Sequence, residues 1–413
     1  MRTPFLAVAA LVVAAGCTGD DDSDPTASSQ GAAFLSCVFG SGIQLGVGEV
    51  RAFRGTEGEV LCVDAGGDAA EFTLVPFFAS SNGEARLRVS TLGGNLQPVT
   101  GPPNPSLGGE EVPGADLPAR DQEFHLRVLN EARRILRIRS ASPGTAPLAS
   151  RAGGSQPAPS AAPPSVGDVI TLTVPRFDLS GVNPCEVVHT QQGRVAAVSQ
   201  RAILVNDVAN PSGGLTDAEL QTFGQQFDDL VYPVDTQYFG TPTDIDQNGR
   251  VIIFFTRRVN ELTPPNSGGY VGGFFWAGDL FPRQATQRFD ACPRGNVAEI
   301  FYILAADPQG SINNNPRSRD LVLRSSLGTI AHELEHLINA SRRMFVNNAN
   351  RFEETWLDEG LAHSAEELVF YQATGLGPRQ NIDLARLTSS PAITSAVNQY
   401  MIENFGRLLT YME

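Results

Sequence analysis

The chain has 413 residues, a net charge of −15, and 41% hydrophobic against 18% charged residues. That length holds two or three domains with proper cores, and the acidic balance repels phosphate backbones, so no nucleic-acid partner is expected. All thirty basic residues are Arg; without Lys there is no P-loop phosphate grip and no Schiff-base chemistry, and no G-x-S-x-G elbow of a serine hydrolase occurs.

Residues 1–17 read as a signal peptide. Arg2 is the positive start and Phe5 to Ala15 an apolar run too short to span a bilayer. Ala14-Ala15-Gly16-Cys17 resembles a bacterial lipobox, with lipid expected on Cys17. This predicts an exported lipoprotein held to a membrane by its anchor alone. Thr18 follows where an Asp would resemble an inner-membrane retention signal, which points to the outer membrane or cell surface. Residues 18–33, with Asp20, Asp21, Asp22 and Asp24, read as a solvated tether.

Residues 34–115 carry short β-like runs such as 49–53, 60–63 and 71–75 between Gly, Asn and Asp clusters, the pattern of a small all-β, sandwich-like accessory domain. Over 116–139, Phe124, Val128, Leu129, Ala132, Ile135 and Leu136 repeat at helical spacing, with Arg127, Arg133, Arg134, Arg137 and Arg139 expected on a solvated flank. Residues 140–166 are rich in Pro, Ala, Ser and Gly and read as a linker. The four cysteines left after Cys17 fall two to a domain, so Cys37–Cys62 and Cys185–Cys292 disulfides are expected in an oxidising compartment.

From 167 to 413 the pattern is α+β. Strands are predicted at 168–174, 193–205, 251–256 and 298–304. A helix is predicted at 216–230, with Thr216 and Glu219 forming a capping box. Between helix and strand, Asp244, Asp246 and Asn248, followed by Gly249, resemble the first half of a calcium loop. The twelfth position is Phe255 rather than Glu, so a plain polar turn is the competing reading. Two further helices are predicted at 319–341 and 354–374.

These two helices carry the chemistry. His332-Glu333-Leu334-Glu335-His336 places two imidazoles one turn apart on one helical face, where both can bind one zinc ion. Glu333 lies beside the first of them, positioned to take a proton from a water that the metal activates. Leu327, Ile330, Leu334, Leu337 and Ile338 make the helix a buried one.

Downstream stands Trp356-Leu357-Asp358-Glu359-Gly360. With the His-Glu-x-x-His motif, this resembles the gluzincin peptidases, which hold zinc with two His and one Glu. The segments 329–339, 270–275 and 279–281 are similar to those of the hyicolysin-like bacterial peptidases. The resemblance covers about 200–413 and implies a zincin-type catalytic domain, a twisted sheet with active-site helices, in which Glu359 is the third ligand. Glu353 and Glu354 precede the helix and suit its N-terminus; Glu366 and Glu367 lie about two turns on, and Asp358 points about 100° away from Glu359. Asp358 and His363 are then expected to support the ligands, and Gly360 to let the two helices approach. Gluzincins also use a Tyr or His to stabilise the transition state; His363, Tyr371, Tyr400 and Tyr411 are the candidates. Glu335 is charged where such helices carry a neutral residue, and it is expected to face away from the metal. The helical pattern reaches Glu413 without a cap, which predicts a domain that continues further.

The function expected is a zinc-dependent endopeptidase acting on polypeptides through a glutamate general base. The rival is a surface-anchored binding lipoprotein with an inactive or structural zinc site, which would have no use for Glu333. A zinc hydrolase of non-peptide bonds is a third reading, which the resemblance disfavours.

Overall fold

The computed structural model describes residues 11–12, 43–45, 51–52, 63–64, 117–139, 163–267, 269–377 and 382–406. Cys17, Cys37, Cys62, Tyr411 and nearly all of the expected β module lie outside them. The chain divides into two units, 1–110 with 377–386, and 111–376 with 387–413. In the first, β1 (Leu11–Val12) pairs with β3 (Arg51–Ala52) and β2 (Ile43–Gln44) with β4 (Val63–Asp64), both parallel.

The second unit is built on a mixed six-stranded sheet in the order β5-β6-β7-β8-β10-β9. Its strands are β5 (Val169–Pro175), β6 (Val188–Val198), β7 (Ala202–Asp207), β8 (Val251–Thr256), β9 (Gly273–Phe275) and β10 (Ile300–Leu304). The inner strands β7, β8 and β10 run parallel. Every residue of β8 and β10 is buried, as expected of parallel strands covered on both faces.

The single strand expected over 193–205 is two. Ser199, Gln200 and Arg201 break it into a hairpin, because Asp228 accepts from the Ser199 hydroxyl and from the Gln200 and Arg201 N–H groups. The short β9 was not expected either. It is an edge strand antiparallel to β10, and three residues give no readable alternation.

The helices are α1 (Leu117–Ile135), α2 (Asp217–Gln226), α3 (Tyr232–Tyr238), α4 (Arg257–Asn260), α5 (Arg319–Ser341), α6 (Thr355–Thr374), α7 (Leu384–Leu387) and α8 (Pro391–Ala396). Thr216 and Glu219 form the expected capping box on α2, and a π-helical turn at Phe227–Val231 carries that helix on into α3. Ser318 caps α5 by accepting from the Leu321 N–H. Gly375 ends α6 at φ 66°, a left-handed conformation that glycine adopts without a Cβ clash.

Phe255, Ile303 and Gly273 are cross-strand partners and therefore share one sheet face. Phe223 of α2 packs on Phe255, and Thr329 of α5 lies against Gly273 so closely that a Cβ there would come within 2.8 Å of it. Both helices thus cover the same face. The other face carries Phe254, Tyr302 and Phe274, the last two stacked at 4.7 Å. Phe177 and Phe124 of α1 close this aromatic layer.

Cys185 and Cys292 form the expected disulfide, across 107 residues. Closing so long a loop in the unfolded chain is worth about 4–5 kcal/mol in the chain-entropy account. Among the described residues, no helix is long and apolar enough to cross a membrane.

Candidate metal centre

The centre is made where α5 packs against α6. The glycine expected to allow that approach, Gly360, is not what sets it. A Cβ on Gly360 would meet nothing within 4 Å; the close glycine contact of α5 is with another segment, where a Cβ on Gly328 would sit 2.4 Å from the carbonyl oxygen of Gln399 in the π-helical turn Val397–Met401 that follows α8. Leu327, Ile330, Leu334, Leu337 and Ile338 fix the roll of α5 by burying its apolar sides. His332 and His336, both buried, then project together toward α6.

Their Nε2 atoms lie 3.1 Å apart. Glu359 reaches the same point: one carboxylate oxygen is 3.6 Å from His332 Nε2 and the other 3.8 Å from His336 Nε2. On the far side of each ring a carboxylate accepts a hydrogen bond from Nδ1–H. Glu366 accepts from His332 at 2.7 Å, and Asp358 from His336 at 3.2 Å. Asp358 is itself held by the Asn339 side-chain amide.

These partners decide what fits between the rings. With Nδ1 protonated and bonded, a neutral imidazole presents a lone pair at Nε2. Two such lone pairs facing each other at 3.1 Å beside a carboxylate repel unless a cation lies between them. Burial alone would lower the His336 pKa, but Asp358, Glu359 and Glu333 outweigh it and raise the imidazole to about 10. The donor set of two imidazoles and a carboxylate, each imidazole oriented by a second carboxylate, suits zinc.

Glu333 is fully buried next to His332. Burial pushes its carboxyl well above the usual range, against the lowering effect of His336. His363 lies one turn beyond Glu359; its Nδ1 shares Glu366 with His332, and its Nε2 is 3.8 Å from Glu359. Of the other candidate donors, Tyr371 is bonded to Glu367 and Tyr400 is buried. Glu335 does not face solvent. It is buried 3.9 Å from His336 Nδ1, and its charge helps to raise the equally buried Asp235, whose own burial is the larger cause.

One residue that sequence reasoning missed is His125. It sits on the buried face of α1, its Nε2 3.6 Å from Glu333. His125, His332, His336 and Glu359 each offer a donor atom within 4.8 Å of all the others. A lone His 207 residues before the motif carries no spacing signal. The clue available was that it falls at the helical spacing of Phe124 and Val128, on the apolar face of α1.

The expected calcium loop is also altered. Asp244 and Asp246 come together with the buried Glu299, whereas Asn248 turns its amide onto Asp246. Glu299 accepts from the Thr243 hydroxyl and the Ile245 N–H. Burial, with a smaller push from Asp246, nonetheless lifts its pKa from 4.5 to about 8. Between those pH values the unfolded chain has released this proton and the folded protein still holds it. Folding therefore takes up a proton, and the contribution of Glu299 to stability declines as pH rises from about 4.5 to about 8. Glu299→Gln keeps an acceptor for both donors. It should flatten that part of the curve of thermal midpoint against pH; an unchanged curve would show that Glu299 is ionised in the folded protein.

No family model matches the chain. It is 28% identical over 154 residues to the neutral metalloprotease ShpI of Staphylococcus hyicus, a match spanning 37% of this chain and 32% of that protein. The chain thus covers about a third of that relative's length. The similarity supports a relationship to metalloproteases, and the α+β architecture, with a mixed sheet backing two helices that converge on a histidine pair, is compatible with a protease domain.

Proposed function

We propose that this chain is a zinc-dependent endopeptidase of the gluzincin type, in the manner of the hyicolysin-like enzymes, acting on polypeptides outside the cytoplasm. The observation that carries this is the facing pair of Nε2 atoms, bracketed by Glu359 and oriented by Glu366 and Asp358, with a buried carboxyl beside it. His332, His336 and Glu359 would hold the metal. Zinc supplies Lewis acidity there, polarising a peptide carbonyl and making water a competent nucleophile.

The protein's own groups do the rest. Glu333 takes the proton of the attacking water and returns it to the leaving nitrogen, which restores the carboxylate for the next cycle. Burial strengthens Glu333 as a base and excludes bulk water from the transfer. Asp358 and Glu366 keep both imidazoles in the tautomer that presents Nε2. His363, beside Glu359 and with its ring centroid 4.7 Å from that of His332, is the group best placed to donate a hydrogen bond to an oxyanion.

A second reading, a structural zinc site in a binding lipoprotein, is favoured by one feature: His125 completes a set of four protein donors, and structural sites are closed in this way. The lipid on Cys17 and a calcium ion at Asp244, Asp246 and Glu299 belong to the proposal as well. The direct test uses the full chain. One equivalent of zinc, hydrolysis of casein or a peptide library, loss of that hydrolysis on chelation and its return with zinc are expected. Stoichiometric zinc with no hydrolysis, even when His125 is replaced by Ala, would favour the structural reading.

A further inference from the structure

We propose that His125 is a fourth, displaceable ligand of the metal, and that α1 carries it into the coordination position which substrate and water would otherwise use. In this state the enzyme is latent. The inference rests on the zinc-peptidase reading and adds its regulation.

The argument starts from what α1 covers. A catalytic zinc keeps one position open, whereas four protein ligands close a tetrahedral site. Three donors come from α5 and α6; the fourth, a ring nitrogen of His125, comes from a helix on a separate stretch of chain and lies within 4.8 Å of the other three. The His125 ring is 5.0 Å from that of His332 and 6.0 Å from that of His336, so it faces the pair directly. Its Nε2 is also 3.6 Å from Glu333, across the space where a water would have to meet that base.

One turn earlier, the Asp121 carboxylate accepts from the Gly272 N–H, at the start of the edge strand β9. That strand borders the metal centre, and its backbone is the surface on which an extended peptide could pair. On the other side of His125, Val128 and Ala132 of α1 line, with Phe275, His336 and Ala340, a cavity of only about 10 Å³. That is room for no more than a single water. Asp121, His125, Val128 and Ala132 form one helical stripe, so α1 fills the approach to the metal from base to edge strand.

The attachment of α1 is nonetheless of a kind that can be undone. Beyond this stripe Phe124 packs into the aromatic layer against Phe177 and Phe274, and the remaining contacts are part-exposed and polar: Arg133 to Glu354 and Thr355, and Arg127 to the Phe177 carbonyl. Exposed pairs of this type are each worth little. Past α1, Ile138 pairs with Phe289 in an isolated bridge, and α1 itself lies outside the strand order of the six-stranded sheet. The Arg flank expected to be solvated is in part the polar rim of this docking face.

The test uses the full chain loaded with Co²⁺, whose visible spectrum reports ligand number and type independently of activity. Two variants are compared with wild type. His125→Ala removes the ligand. Ala132→Arg places a charged side chain on the buried stripe, lifting α1 while leaving His125 intact. Both should change the cobalt spectrum toward a site with an exchangeable water and fewer nitrogen ligands, at unchanged metal stoichiometry. Both should also raise peptide hydrolysis. If the undocked state is a minor one of about 0.1–10%, the gain is about 10- to 1000-fold. An unchanged spectrum in His125→Ala would show that His125 only pairs with Glu333, and would overturn the inference with the peptidase reading intact. Lower hydrolysis in His125→Ala would make His125 part of the working site, and would overturn it too. A chain that binds no divalent metal would sink both readings.

Discussion

Glu333→Gln is expected to leave the metal in place and to slow peptide hydrolysis by about 10²–10⁴-fold, the usual worth of a general base. The substitution is nearly isosteric, which matters because Glu333 is fully buried; a smaller residue would open a cavity and confuse loss of folding with loss of chemistry. Gln cannot accept and return a proton, but it keeps a polar group near His125. His332, His336 and Glu359 keep their own supports, since Glu366 and Asp358 touch neither oxygen of Glu333. The two readouts are therefore separable: metal content by elemental analysis unchanged, hydrolysis nearly abolished. The measurement is best made with His125→Ala in the background, so that latency does not mask the difference. Turnover equal to that of the parent would remove Glu333 from the mechanism. Loss of metal would show that Glu333 works as a ligand and not as a base.

How much of this was legible beforehand follows from where each signal lies in the chain. α5 and α6 were readable almost residue for residue, because their apolar periodicity and caps are local properties. His332 and His336 were readable because ligand pairs on a helix have fixed spacing. Asp358 and His363 could be named as neighbours of Glu359, but Glu366 was set aside as lying two turns too far along. It reaches His332 nonetheless, because a supporting carboxylate bonds the far side of the imidazole and not the metal. His125 and Glu299 were invisible for a different reason. Each is brought to its cluster by tertiary packing alone, from 207 residues before His332 in one case and 55 residues after Asp244 in the other. The strand break at Ser199 was missed since three polar residues in an apolar run read as one exposed face until Asp228 supplies the turn's hydrogen bonds.

Glu359→Ala is expected to have the largest effect on metal binding of any change on α6. Among the described residues, Glu359 is the one carboxylate within 4 Å of both Nε2 atoms, so its loss leaves two imidazoles and no anionic donor among the three proposed ligands. The drop in affinity should exceed the about 10- to 100-fold that follows loss of a supporting partner. Glu366→Ala supplies that comparison. It frees His332 Nδ1 and should fall in the 10- to 100-fold class. Glu354→Ala is the neutral control, because Glu354 is half-exposed at the start of α6 and its carboxylate pairs with Arg133, away from both rings. Competition against a chromophoric chelator would rank the three. The order Glu359, then Glu366, then Glu354 follows from geometry alone, because only the first side chain faces the space between the rings. If Glu359→Ala keeps stoichiometric zinc with wild-type affinity, the gluzincin assignment fails, and His363, whose Nε2 lies 3.8 Å from the Glu359 carboxylate, becomes the next ligand to test.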